Sequence, residues 1–167
     1  MEIQLTSFQK KICHLFVALL SFTIYLNGID NEYSIDDSYV TDGNPKVLRG
    51  IEGIPEIFTS YYASSGDKQY EYRPIVQTTF AVEKSMFGNL PDSQTIEDKE
   101  IDNKLTQANV SHIINIALYA LTSVLLLYFL SLVCSGYSFL LPLIITVLFV
   151  VHPLHTEPVN NLKSRDE

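Results

Sequence analysis

Formal charge is missing from long stretches of this 167-residue sequence. Residues 105–156 contain no Asp, Glu, Lys or Arg, an uncharged run of 52, and residues 12–29 form a second run of 18. Such a distribution excludes a single soluble core under an evenly mixed surface, and it excludes disorder. Basic residues are few, 11 Lys and Arg against 19 Asp and Glu. Of these charges, 22 fall in residues 30–104, where 15 acids face 7 bases for a net charge of −8. A segment of that sign does not suit nucleic acid. Only two cysteines are present, Cys13 and Cys134, each in or beside an apolar run, so no disulfide framework is implied. No glycine-rich phosphate loop, nucleophile elbow, Cys-x-x-Cys pair, internal repeat or low-complexity tract occurs.

What is present is apolar length. About 20 residues of helix cross a hydrocarbon core about 30 Å thick. The 52-residue run holds more than twice that and is interrupted at Cys134-Ser135-Gly136, which suits a helical hairpin. Residues 110–133 read as one span and 137–151 as the next, with Pro142 near its start. The latter is short, so a tilted span and a partly re-entrant segment both fit. Residues 12–26 follow Lys10-Lys11, as a signal peptide or a first transmembrane helix would. No small-x-small cleavage site follows, and Asn27-Gly28 is a plausible stop, which favours a retained helix. The predicted fold is therefore mainly α and integral to the membrane, with three transmembrane helices and a mixed outer loop between the first and second. Its divisions are 1–29, cytoplasmic segment and first helix; 30–109, outer loop; 110–151, helical hairpin; and 152–167, an outer-face motif.

Lys10 and Lys11 set the N-terminus in the cytoplasm, and the acidic loop then lies in the lumen or periplasm. Two further crossings return the chain to that far side at His152. Clusters distant in sequence can thus meet at one membrane surface. Within the loop, residues 51–58 suggest a short amphipathic helix with Ile54, Ile57 and Phe58 on one side, and residues 73–87 a helix opening on a proline. Residues 92–103 are polar and expected to be exposed.

Three groups carry candidate chemistry. Asp36-Asp37 stands about ten residues beyond the first helix, where adjacent carboxylates can serve as a general base or hold a cation. The plainer reading is an Asp-rich turn capping a helix. His152-Pro-Leu-His155-Thr-Glu157 follows an apolar helix, and its ionisable groups can line a site, bind metal or simply mark a helix end. Lys163-Ser-Arg165-Asp166-Glu167 continues it with cations that can hold phosphate, and equally fits a solvated loop. Arg73 can reach a phosphate or pair with Glu71 or Glu83. His112 and Asn115 are polar in an apolar setting; they can face a cavity, though packing between helices is the reading preferred. Asn109-Val-Ser111 fits a glycosylation sequon but abuts the membrane.

Several strings together resemble one family. Ile35-Asp-Asp-Ser-Tyr39 with Asn44-Pro45 comes first, then Tyr72-Arg-Pro-Ile75 and Ser111-His-Ile-Ile-Asn-Ile-Ala-Leu-Tyr-Ala120. His152-Pro-Leu-His-Thr-Glu-Pro-Val159 and Ser164-Arg-Asp-Glu167 follow in the same order. The chain from about Asn31 onward is similar to the N-terminal part of multi-pass GT-C glycosyltransferases. More closely, it resembles the transmembrane O-mannosyltransferases with C-terminal tetratricopeptide repeats and their bacterial relatives. The resemblance implies a polyprenyl-phosphate-linked sugar, mannose in that family, transferred on the outer face to a protein or glycan hydroxyl. It implies Asp36 or Asp37 as catalytic base, and Arg73, His152, His155, Glu157, Arg165 and Asp166 around the donor or acceptor. No cofactor beyond that lipid-linked substrate and no metal ligand is assigned, and a divalent metal is kept as a lesser alternative. The family continues into many more helices, so a truncated and by itself inactive fragment is expected. Two rivals stand beside this reading: a non-catalytic membrane adaptor whose acidic loop binds a partner, and a metal-dependent hydrolase using His152, His155 and Glu157.

Overall fold

The computed structural model describes residues 5–65, 68–70, 72–90 and 105–166. Residues 92–103, Glu71 and Glu167 lie outside that set.

Helix α1, Ser7–Ile24, starts earlier than the apolar run because Thr6 and Gln9 cap it reciprocally: the Gln9 N–H donates to Thr6 Oγ1 (3.3 Å) and the Thr6 N–H to Gln9 Oε1 (2.9 Å). Lys10 and Lys11 are consequently in its first turns. The loop forms short pieces: a 3₁₀ turn at Ile35–Tyr39, helix α2 (Pro45–Leu48), a 3₁₀ turn at Gly50–Gly53 and helix α3 (Ile54–Ile57). Strands β1 (Ala63–Ser65) and β2 (Lys68–Tyr70) pair antiparallel with Ala63 opposite Tyr70. The amphipathic stretch expected at 51–58 is thus split, with Ile57 buried and Phe58 half-exposed. Gly50 is at φ +63°, and Ser85 packs where its Cβ would be, which breaks the helix at that point. Helix α4, Pro74–Phe87, opens on its proline as anticipated.

Helix α5, Gln107–Val133, begins on a second capping box, Thr106 with Asn109, and is 27 residues or about 40 Å long. Its best window has a mean hydropathy of 2.3, and it is the one helix among the described residues long and apolar enough to cross a membrane by itself. Helix α6, Leu140–Val150, has 11 residues and is shorter than the expected 137–151. Tyr137 is held in the turn by a hydrogen bond to the Cys134 carbonyl, and His152, preceding a proline, takes ψ 127° and ends the helix. A 50° bend separates α6 from the following 153–160 segment, which contains α7, Thr156–Asn160.

Helices α1, α5 and α6 pack together through Val17, Leu127, Phe139 and Val150. Tyr25, Ile116, Tyr119 and Val159 continue this contact toward the loop. Beyond them, Val40, Val47, Ile57, Val76, Phe80 and Ala81 form the loop's own core, which Leu162 completes from the C-terminal segment. Buried Ser21, Ser123 and Thr146 donate to carbonyls four residues earlier, which satisfies them where helices meet closely. Outward on α5 are Leu118, Leu121, Leu125, Phe129 and Leu132, all exposed, an apolar surface at helical spacing.

Candidate functional site

The turn at Ile35–Tyr39 gives its adjacent carboxylates opposite surroundings. Asp37 is fully buried: Oδ2 accepts the Ser34 N–H at 2.8 Å and Oδ1 the Lys163 N–H at 3.0 Å. Both oxygens are committed to main-chain amides, so Asp37 joins the loop to the C-terminal segment. Asp36 points outward, half-exposed, and pairs with Lys163 Nζ at 2.5 Å. That hydrogen bond raises the Lys163 ammonium above its ordinary pKa range, with the charges of Asp36 and Asp37 adding to it.

Arg165 sits two residues further along, its side chain only 4% exposed. Nη1 donates to Thr79 Oγ1 (2.8 Å) and to Glu83, Nε to Asn115 Oδ1 (2.6 Å), and Nη2 to the Ser111 carbonyl (3.3 Å). The guanidinium lies 3.8 Å from the Phe80 ring centre. Glu83 uses its second oxygen to accept the Ser111 hydroxyl at 2.8 Å. Burial lowers the Arg165 pKa, and Glu83 opposes that shift. Arg165 is therefore a structural clasp between α4 and α5, with little capacity left to hold a phosphate. Arg73 reaches Asp166 at 3.1 Å.

The histidine motif stands apart from the Asp pair. His152 accepts the Leu154 N–H through Nδ1 (3.3 Å) and starts the 3₁₀ turn Pro153–His155. His155 packs on Phe149 with ring centres 4.1 Å apart, near Tyr119 at 5.6 Å. Burial lowers its pKa first, and the neighbouring His152 second. Glu157 is exposed in the first turn of α7. Among the described residues no His, Cys, Asp or Glu cluster could hold a metal ion. A cavity of about 300 Å³ is lined by His155, Arg165 and Asp166 together with Asn115, Tyr119 and Thr122. Three sequence-predicted residues thus share one cavity, while Asp36, Asp37, Arg73, His152 and Glu157 do not line it.

Glu83, Thr79 and Ser111 were not singled out as site residues by the sequence. Their signal was periodicity: Val76, Phe80 and Glu83 share the buried face of α4, an acid where an apolar residue is expected, and Ser111 and Asn115 stand one turn apart on α5. Cys13 and Cys134 are both free thiols. No family model matches the chain, and neither a curated protein nor a solved structure matches it.

Proposed function

We propose that the chain crosses the membrane three times, through α1, α5 and the bent pass made by α6 and the segment after it, and forms the outer-face corner of a GT-C-like glycosyltransferase. Its substrate in this reading is a sugar, mannose by resemblance, linked to polyprenyl phosphate, and its acceptor a hydroxyl on a protein or glycan. The observation that supports it is the meeting of two motifs 127 residues apart, Asp36 with Lys163, on the side of the bundle where three crossings would put both.

Asp36 is the base in this scheme, because Asp37 is locked onto two amides. The acceptor oxygen attacks the anomeric carbon, its proton passes to the Asp36 carboxylate, and the anomeric C–O bond to phosphate breaks. Polyprenyl phosphate leaves with the bonding pair, and the nearby cations Lys163 and Arg73 balance its charge. The half-exposed position of Asp36 leaves it reachable once Lys163 turns toward phosphate. His155, Arg165 and Asp166 line the adjoining cavity, where a sugar or isoprenoid end can sit.

The test is transfer of labelled mannose from polyprenyl-phosphate mannose to a Ser/Thr-rich peptide in membranes carrying the chain together with the further helices that the resemblance implies. D36N is expected to lower turnover about 100-fold or more, the usual scale of general-base loss, with melting shifted by no more than a few degrees. The existing ion pair of Asp36 favours one rival, an adaptor whose loop carboxylates are structural. Transfer undiminished by D36N, with partner capture by the acidic loop, would establish that rival instead.

A further inference from the structure

The end of the bundle remote from Asp36 holds a second polar feature. The turn joining α5 to α6 leaves a cleft of about 280 Å³, lined by Lys10, Ser131, Cys134, Ser135, Tyr137 and Ser138. It is open on the turn side, where a Cβ added to Gly136 would meet nothing within 4 Å. The Lys10 ammonium stands 5.6 Å from the Phe139 ring centre and forms no ion pair among the described residues. Helices α1, α5 and α6 carry no carboxylate, so the charges they bring to this end are the two cations Lys10 and Lys11. Ser138 keeps its hydroxyl proton free to donate, since it only accepts a 3.4 Å bond from the Leu140 N–H, whereas Ser131 spends its proton on the Tyr128 carbonyl. An ammonium beside several hydroxyls, with no carboxylate lining the cleft among the described residues, fits the phosphate of a diester or monoester.

The height of the cleft decides which phosphate. At about 40 Å, α5 exceeds a hydrocarbon core of about 30 Å, so its Val133 end projects to head-group level. We propose that this cleft binds the phosphate of an anionic lipid head group in the cytoplasmic leaflet, with Lys10 as its charged contact. The proposal rests on the membrane orientation given above and not on the transferase chemistry.

The full chain, purified in neutral detergent, is titrated with dioleoylphosphatidylglycerol, and bound lipid is counted by native mass spectrometry. Dioleoylphosphatidylcholine and millimolar inorganic phosphate serve as the comparison ligand and competitor. The wild type is expected to retain phosphatidylglycerol over phosphatidylcholine, and K10Q to weaken that retention about fivefold, the scale of one cation at a lipid surface. K11Q leaves it unchanged, since Lys11 does not line the cleft. Equal retention of both lipids, or equal loss in K10Q and K11Q, overturns the site. Full displacement by inorganic phosphate overturns the lipid as its occupant. Alkaline carbonate extraction separates the two claims: a chain released from membranes refutes the orientation, whereas a retained chain without lipid preference refutes the cleft alone.

Discussion

Replacing Arg165 by Met tests the central packing claim, that a buried ion pair fastens the C-terminal segment to the helices. The side chains of Arg165 and Glu83 are 4% and 10% exposed. Arg165→Met would leave the buried Glu83 carboxyl without its counter-ion and with only the Ser111 hydroxyl to support it. Removing one partner of a buried pair costs about 3–5 kcal/mol, chiefly through the charge left behind. A chain of this size loses about 2–4 °C of melting temperature per kcal/mol, which gives a fall of roughly 10 °C. Circular dichroism at 222 nm on the solubilised protein measures it, and the sequence has no Trp to offer a fluorescence signal. Adding Glu83→Gln to Arg165→Met removes the stranded charge and is expected to recover at least half the loss. The reasoning is refuted if Arg165→Met costs under about 1 kcal/mol, or if the double variant is as unstable as the sum of the single ones.

Asp37→Ala, which strands two buried amides, is expected to cost about 2–4 kcal/mol, and Asp36→Asn less than about 1, both read as melting shifts. His155 is held below its ordinary value, so its contribution is complete above pH 6.5 and fades as pH falls through the folded value; stability followed from pH 7 to 5 should drop, and less so in His155→Phe. Lys163 is raised, so its pairing persists below pH 10.5 and is lost as pH rises through the folded value; because the pair is partly open to water, it should shift melting by no more than a few degrees in an alkaline series. Gly50→Ala forces a side chain onto a positive φ against Ser85 and should destabilise by about 1–2 kcal/mol, seen in the same melts.

Local features were the most legible from sequence. The helix break at Cys134-Ser135-Gly136 lies between Val133 and Leu140, and the proline-opened helix starts at Pro74. Both follow from short-range chemistry, in turn residues and a fixed proline φ. The start of α1 was missed because its cap, Thr6 with Gln9, lies among polar residues outside the apolar run. The division of labour between Asp36 and Asp37 was beyond reach, since it is fixed by the Lys163 amide on a segment 126 residues away. Arg165 was marked as a residue of interest, but its partners on α4 and α5 belong to tertiary packing, which local periodicity does not pair.

The Arg165 clasp also constrains the order of assembly. Glu83 leaves the ribosome 82 residues before its counter-ion does, which at about 5–20 residues per second is roughly 4–16 s. During that interval its carboxylate must stay hydrated, and the groove between α4 and α5 cannot close dry around it. The loop is then held loose until the segment carrying Arg165 arrives, and nascent protein stalled short of Arg165 should be open to proteases that leave the longer product intact.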